Sequence, residues 1–232
     1  MGLYFQRMDK IAIYTCIIGN YDKLLQPALV REGFDFICFV GKGEKTQDRD
    51  GVWEIRELPY EGKTRTLTAR YAKLHPHVLL PEYEYSLWID GNISIETDAI
   101  YDIITGKIAA GVEFSGMQHP SRDCIYAEAE KCRDMRYISY LKLAQLHTIY
   151  LFSGVKRHSG LMEANVIFRR HNAEKVLLYD RMWWDKIEHL CFRDQLSQML
   201  VLHKCGLKPD YLLPEGQSTR NHPGFKYLLH KK

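Results

Sequence analysis

The chain of 232 residues is 46% hydrophobic, 12% aromatic and 26% charged, a profile that excludes a disordered or fibrous protein and suits one sizeable packed domain. Its 32 basic and 29 acidic residues are interspersed and leave a formal charge of +3. No cationic block therefore marks a nucleic-acid partner, while mild basicity suits a phosphate-bearing ligand. Six cysteines occur without a Cys-x-x-Cys pair, several inside apolar runs, which predicts buried free thiols and a reducing cytoplasm rather than a zinc site or a disulfide framework.

Residues 1–7, with Leu3-Tyr4-Phe5-Gln6, read as the remnant of a protease-site tag, and the domain is expected over 8–232 with a natural start at Met8. No basic region followed by an apolar leader is visible. The early apolar run Ile11 to Ile18 spans about 8 residues against the roughly 20 that a membrane helix needs, so at most a peripheral association with a membrane is expected. Ile11 to Cys16 is nearly continuous in apolar character, as a buried parallel strand should be. Asp35 to Val40 and Val52 to Arg56 read as further strands, separated by the polar loop Gly41 to Gly51. Lys63 to Leu74 has helical spacing, places Arg70 and Lys73 on a shared face, and ends before Pro76. Tyr85 to Ile89 is another apolar strand, expected beside the first, and it runs straight into Asp90-Gly91-Asn92.

Ser121 to Phe152 is rich in helix formers with a break near 133–136, and Gly154 is an end signal. Leu161 to Arg169 returns to strand character. Phe192, Leu196, Met199 and Leu200 then lie on one face of a helix that stops before Gly206, and the tail from Arg220 is basic. Strands interleaved with helices predict an α/β fold, a single Rossmann-like domain with a mixed, mostly parallel sheet flanked by helices.

A carboxylate at the carboxyl end of a central strand is where open α/β sheets bind ligands, which singles out Asp90. An ordinary polar turn explains Asp-Gly-Asn equally well on backbone grounds. The aspartyl nucleophile of phosphatases is excluded, because the position it requires is Trp88. His119, Arg122 and Asp123 follow a strand and open a helix, a setting for an anionic or hydroxyl-rich ligand, with Ser121 as a plain helix cap the competing reading.

The stretch Thr68-Ala69-Arg70-Tyr71-Ala72-Lys73-Leu74-His75-Pro76 through Tyr85-Ser86-Leu87-Trp88-Ile89-Asp90-Gly91-Asn92, together with Ile13-Tyr14-Thr15-Cys16-Ile17-Ile18-Gly19-Asn20-Tyr21-Asp22 and His119-Pro120-Ser121-Arg122-Asp123-Cys124, resembles the glycosyltransferase-like family of plant mucilage-synthesis and pollen-turgor proteins and bacterial capsule-locus proteins. It is also similar to retaining GT-A transferases of the glycogenin and galactosyltransferase type. The resemblance implies a GT-A fold and places Thr15 and Tyr21 at the nucleotide, Arg70 and Lys73 at the diphosphate, and Asp90 at a metal or the donor sugar.

It further implies Glu163 and Asn165 along the donor sugar and Asp194-Gln195 near sugar and acceptor, with Asp90, Asp194 and Glu163 as the catalytic set and His119, Arg122 and Gln195 toward the acceptor. His222, in Asn221-His222-Pro223-Gly224, resembles a carboxy-terminal His-x-x-Gly element that completes a metal and diphosphate site, with Lys226 beside it at the diphosphate. The implied cofactor is Mn²⁺ or Mg²⁺ held by Asp90, Asn92 and His222. Asn92 stands where the Asp-x-Asp motif has its second carboxylate, which weakens that site for a dication. The implied activity is transfer of a sugar from a nucleotide diphosphate sugar, UDP-linked by resemblance, to a glycan or lipid-linked acceptor in surface or capsular polysaccharide synthesis. The rival is a non-catalytic nucleotide-sugar or carbohydrate-binding module of the same fold. A nucleotidyltransferase would need a Gly-rich phosphate loop where this chain has Ile17-Ile18-Gly19-Asn20-Tyr21.

Overall fold

The computed structural model describes residues 10–19 and 21–229, so the tag reading of residues 1–7 lies outside the described residues. Six central or edge strands and one late strand make the main sheet: β1 (Ile11–Cys16), β2 (Phe34–Val40), β3 (Arg49–Asp50), β4 (Trp53–Glu57), β5 (Tyr85–Ile89), β7 (Phe114–Gln118) and β8 (Met162–Arg170). Two short strands, β6 (Ile93–Ile95) and β9 (Phe225–Tyr227), form a second ladder. The helices are α1 (Arg65–Leu74), α2 (Pro76–Leu79), α3 (Ala99–Ala109), α4 (Ile125–Asp134), α5 (Tyr140–Phe152), α6 (Glu174–His189) and α7 (Gln195–Cys205).

The strand order is β3-β4-β2-β1-β5-β8-β7. β1 pairs in parallel with both β2 and β5, with Ile13 opposite Phe36 on one side and Leu87 on the other, so the expected adjacency of the first strand and the Asp90 strand holds. β4 continues the parallel run, β8 opposes β5, and β7 opposes β8 and so runs with β5. Only β3 and β8 oppose the common direction, which makes the sheet mixed but mostly parallel.

All six residues of β1 are buried. Their side chains alternate between two cores, as the period of a strand demands. Ala12 and Tyr14 join Trp88, Trp183 and the apolar faces of α1, α4, α5, α6 and α7, while Ile11 and Ile13 join Phe36, Trp53, Leu87, Tyr101 of α3 and Phe225 of β9.

Local signals set the helix ends. The Thr64 hydroxyl accepts the Leu67 N–H and starts α1. Pro76 stops α1 as expected, but it then opens the one-turn α2, because proline suits the first turn of a helix. The break between α4 and α5 carries Arg136 at φ 61°, and Gly206 at φ 64° ends α7. One expectation fails here. α7 begins at Gln195 under an Asp194 cap, so Phe192 precedes the helix and is 55% exposed rather than lying on its buried face.

All six cysteines are free and buried. Among the described residues no helix is long and apolar enough to cross a membrane.

Candidate active site

Asp90 follows directly on β5. Its N–H donates to the Asn165 carbonyl at 2.8 Å, and its own carbonyl accepts from Ile93 N at 3.0 Å, closing the Asp-Gly-Asn turn. The side chain is fixed through one oxygen: Oδ1 accepts from Trp88 Nε1 at 2.7 Å and from Lys73 Nζ at 3.3 Å. Lys73 is fully buried, its ammonium lying between Asp90 and Asp194 Oδ2 at 2.9 Å and 5.4 Å from the centre of the Trp88 ring. Arg70, one turn earlier on α1, brings Nε to 3.1 Å from the same Asp194 oxygen. The two cations that helical spacing places together thus converge on one carboxylate. Burial acts to raise the Asp194 carboxyl, but the charges of Arg70, Lys73 and Arg193 overcome it and hold Asp194 well below the usual carboxylate range.

A buried frame holds this end of α1. The Lys73 carbonyl accepts from Tyr14 OH at 3.0 Å and from Arg169 Nη1 at 2.8 Å. Arg169 also donates to Tyr14 OH and faces Asp180 Oδ1 at 3.3 Å, all without solvent exposure. Removing one member of a buried pair leaves an uncompensated charge, at a cost of roughly 3–5 kcal/mol.

The register of β8 against β7 jumps from Gly116–Ile167 to Met117–Glu163. This irregularity bends β8 where it meets the site, a common device for aiming side chains. Glu163 pairs with Arg220 Nη1 at 2.6 Å and accepts from Asn165 Nδ2 at 3.1 Å, while Asn165 also reaches Thr219 Oγ1 at 3.0 Å. Burial raises the Glu163 carboxyl, Arg220 and Asn165 oppose the shift, and the nearby Asp90 charge adds to it. Asn165 Oδ1 is buried with no hydrogen-bond partner.

His119 leaves β7 opposite Leu161, its N–H on that carbonyl. Its Nδ1 accepts the N–H groups of Ser121 and Arg122, and Arg122 pairs with Glu128. Burial, then the charges of Arg122 and Arg220, push the imidazole down to about 4, so it is neutral near pH 7. Ser121 does not cap α4, whose first turn follows Cys124 without a side-chain cap.

Two adjoining clefts open at the carboxyl ends of β1 and β5. The smaller, about 360 Å³, has Asp90, Arg65, Arg70 and Arg193 in its wall. The larger, about 580 Å³, reaches toward β2 and β4 past Glu44 and Asp50. Ile17, Tyr21, Asp22 and Gly91 line both. Tyr21 is 64% exposed, whereas Thr15 is buried with its hydroxyl unpartnered and lines neither cleft. Gln195 Nε2 is likewise buried and unpartnered. Lys73 lies under the smaller cleft rather than in its wall.

The tail returns to the site, through residues other than those singled out from the sequence. β9 pairs antiparallel with β6, Leu228 N donates to Asn92 O at 2.9 Å, and Asn92 Nδ2 donates to Leu228 O at 2.7 Å. Leu228 and Leu229 line the larger cleft. His222 Nδ1 accepts the Gly224 N–H, and Lys226 is exposed on β9. Among the described residues no three His, Cys, Asp or Glu side chains gather closely enough to hold a metal ion.

Sequence reasoning passes over Arg65, Arg193 and Arg220. Arg193 directly precedes Asp194, so the Arg-Asp-Gln triplet carried a legible signal. Arg220 carried none, since only the return of the tail brings it to Glu163.

A family model described as TOD1/MUCI70, glycosyltransferase-like domain, matches residues 3–213. The chain is 26% identical over 220 residues to the probable hexosyltransferase MUCI70 of Arabidopsis thaliana, covering 89% of this chain and 36% of that protein. It therefore spans about a third of the length of this curated relative. Among solved structures, the WbbM bifunctional glycosyltransferase in its apo form superposes with a TM-score of 0.46 at 9% identity, over 89% of this chain and 39% of that one. With the match running over most of its length, the chain belongs to the TOD1/MUCI70 glycosyltransferase-like domain family.

Proposed function

We propose that this protein transfers a hexose from a nucleoside diphosphate sugar, with uridine as the nucleoside, to a hydroxyl of a glycan or lipid-linked acceptor. The observation that carries the reading is Asp90, held by Lys73 and Trp88 at the carboxyl end of β5, opening on a cleft walled by Arg65, Arg70 and Arg193. In such a transfer the bond from the anomeric carbon to the diphosphate oxygen breaks, a bond to the acceptor oxygen forms, and the acceptor's proton passes to the departing diphosphate. Negative charge grows on the leaving diphosphate, and cations fixed beforehand at that place stabilise it without reorganising.

The larger cleft receives the nucleoside beside Tyr21, and the smaller receives the diphosphate. Asp90, Glu163 and Asn165 then face the sugar. The neutral His119 and its Arg122 partner bound the acceptor side, the imidazole holding the Ser121–Arg122 turn through Nδ1 and facing the Arg122 guanidinium at Nε2, so that it positions Arg122. Asp194 acts on the reaction by holding Arg70 and Lys73 in place.

Thermal denaturation in the presence of nucleoside diphosphates tests this reading, since a ligand that binds the native state raises its apparent stability, by about 2.7 kcal/mol at a hundredfold excess over Kd. UDP should raise the Tm of the wild type, and Arg70→Ala should weaken that response at least about tenfold in concentration. A response to free hexoses with none to any nucleoside diphosphate would overturn it in favour of a carbohydrate-binding module.

A further inference from the structure

A dication on a diphosphate is usually held by one or two protein carboxylates besides the phosphate oxygens, and the Asp-x-Asp motif supplies two. Asn92 holds the second of those positions, where it brings an amide oxygen but no charge. It is 5% exposed, its amide nitrogen and its backbone carbonyl both bond to Leu228, and it thereby fastens β9 to the turn that follows Asp90. Asp90 in turn gives Oδ1 to two donors, one of them the buried ammonium of Lys73 at 3.3 Å, so a second cation at that oxygen would face like charge at close range. The His222 imidazole spends Nδ1 on the Gly224 N–H. The expected set thus offers a single carboxylate beside a buried ammonium, and among the described residues no three His, Cys, Asp or Glu side chains gather around a common point, so these residues do not fit a protein-held Mn²⁺ or Mg²⁺.

Positive charge is nevertheless abundant in the same cleft. Arg65, Arg70 and Arg193 line its wall, three cations against the two carboxylates of Asp22 and Asp90. Two are anchored from behind, Arg70 on Asp194 and Arg193 over the Tyr137 ring at 4.5 Å, while the exposed Arg65 lies against Gly19, where an added Cβ would come within 2.7 Å of its guanidinium. Guanidinium groups bind phosphate oxygens through paired N–H donors, and anchoring reduces the entropy lost when they do so.

We propose that the donor diphosphate binds here without a divalent ion, its charge being met by Arg65, Arg70 and Arg193, and that Asn92 serves as the clasp of the carboxy-terminal strand. This inference rests on the donor-site reading of the preceding section. Calorimetric titration of the full chain with UDP, GDP, ADP and CDP, in EDTA and again with excess MnCl₂, separates the two. The diphosphate that binds should do so with the same Kd, within about threefold, in both solutions. Arg193→Ala should weaken its binding in EDTA at least about tenfold, with Arg193→Lys intermediate and both variants melting as the wild type does. Asn92→Asp should create no new dependence on Mn²⁺. Binding at least about tenfold tighter with Mn²⁺ would overturn the metal-free inference while supporting the donor site. Binding of none of the four in either solution would overturn the donor-site reading itself. An unchanged Kd in folded Arg193→Ala would remove Arg193 from the diphosphate site.

Discussion

The charge arrangement at Asp90 depends on one residue that touches no solvent. Lys73 has two carboxylates within 3.3 Å, and Asp194 has Arg70 as well, so Asp194 is the counter-charge for two cations at once. Asp194→Asn keeps the shape and the cap of α7 but leaves Lys73 buried with Asp90 alone. A loss of roughly 3 kcal/mol follows for a broken buried pair, readable by chemical denaturation at pH 7. The pH dependence has a definite sign. The folded Asp194 carboxyl lies below the ordinary 3.8, so its contribution is fully present above about pH 4 and is lost as the pH falls through and below that value. The wild type should therefore lose more stability than Asp194→Asn between neutral pH and pH 3. Equal acid sensitivity in the two proteins would show that Asp194 is not the coupled group. Asp90, Arg70 and Lys73 are legible in the sequence because a strand end and a helix spacing place them, and Asp194 is singled out by the resemblance of the Asp194-Gln195 pair. The pairing of Asp194 with α1 is not legible, since it joins residues 121 apart.

At the scale of elements, the tail decides how the site closes. β9 seals the edge of β6 directly after the Asp-Gly-Asn turn and sends Phe225 into the core shared with Ile93 and Ile95. Ser218 and Thr219 are also buried, so cutting the chain after Glu215 removes core as well as wall. A point change discriminates better. Phe225→Ala should cost about 3 kcal/mol or more, the usual toll of emptying a buried aromatic site, and should weaken nucleotide binding through Leu228 and Leu229. Loss of less than about 1 kcal/mol would mean that β9 merely rests on β6.

β1, β2, β4 and β5 follow from apolar runs with turn residues between them, whereas the exposed two-residue β3 falls inside the stretch expected as the polar loop Gly41 to Gly51. β6 and β9 do not, because three-residue strands carry no period and each exists only through its partner. α3 and α6 also go unnamed in the sequence reading. Short apolar spacings such as Val176, Tyr179, Trp183 and Ile187 acquire meaning once the sheet face they cover is known.

For the molecule as a whole, sheet order and chain direction bring β1, β5 and β8 together so that the loops after β1 and β5 and the bend in β8 meet at one place. Fold class, the central position of the Asp90 strand and the family were accessible from sequence, since each rests on local pattern or on contiguous motifs. The cationic wall was not, because Arg65, Arg193 and the Asp90 turn come from three separate segments that only the folded sheet assembles. The central claim, that this assembly transfers sugar, is tested most directly by release of nucleoside diphosphate from a panel of nucleotide sugars, comparing wild type with Asp90→Asn. The account predicts turnover with at least one donor, reduced about a hundredfold or more in a variant that melts as the wild type does. Release at the same rate from both proteins, or from neither with any donor, would contradict it.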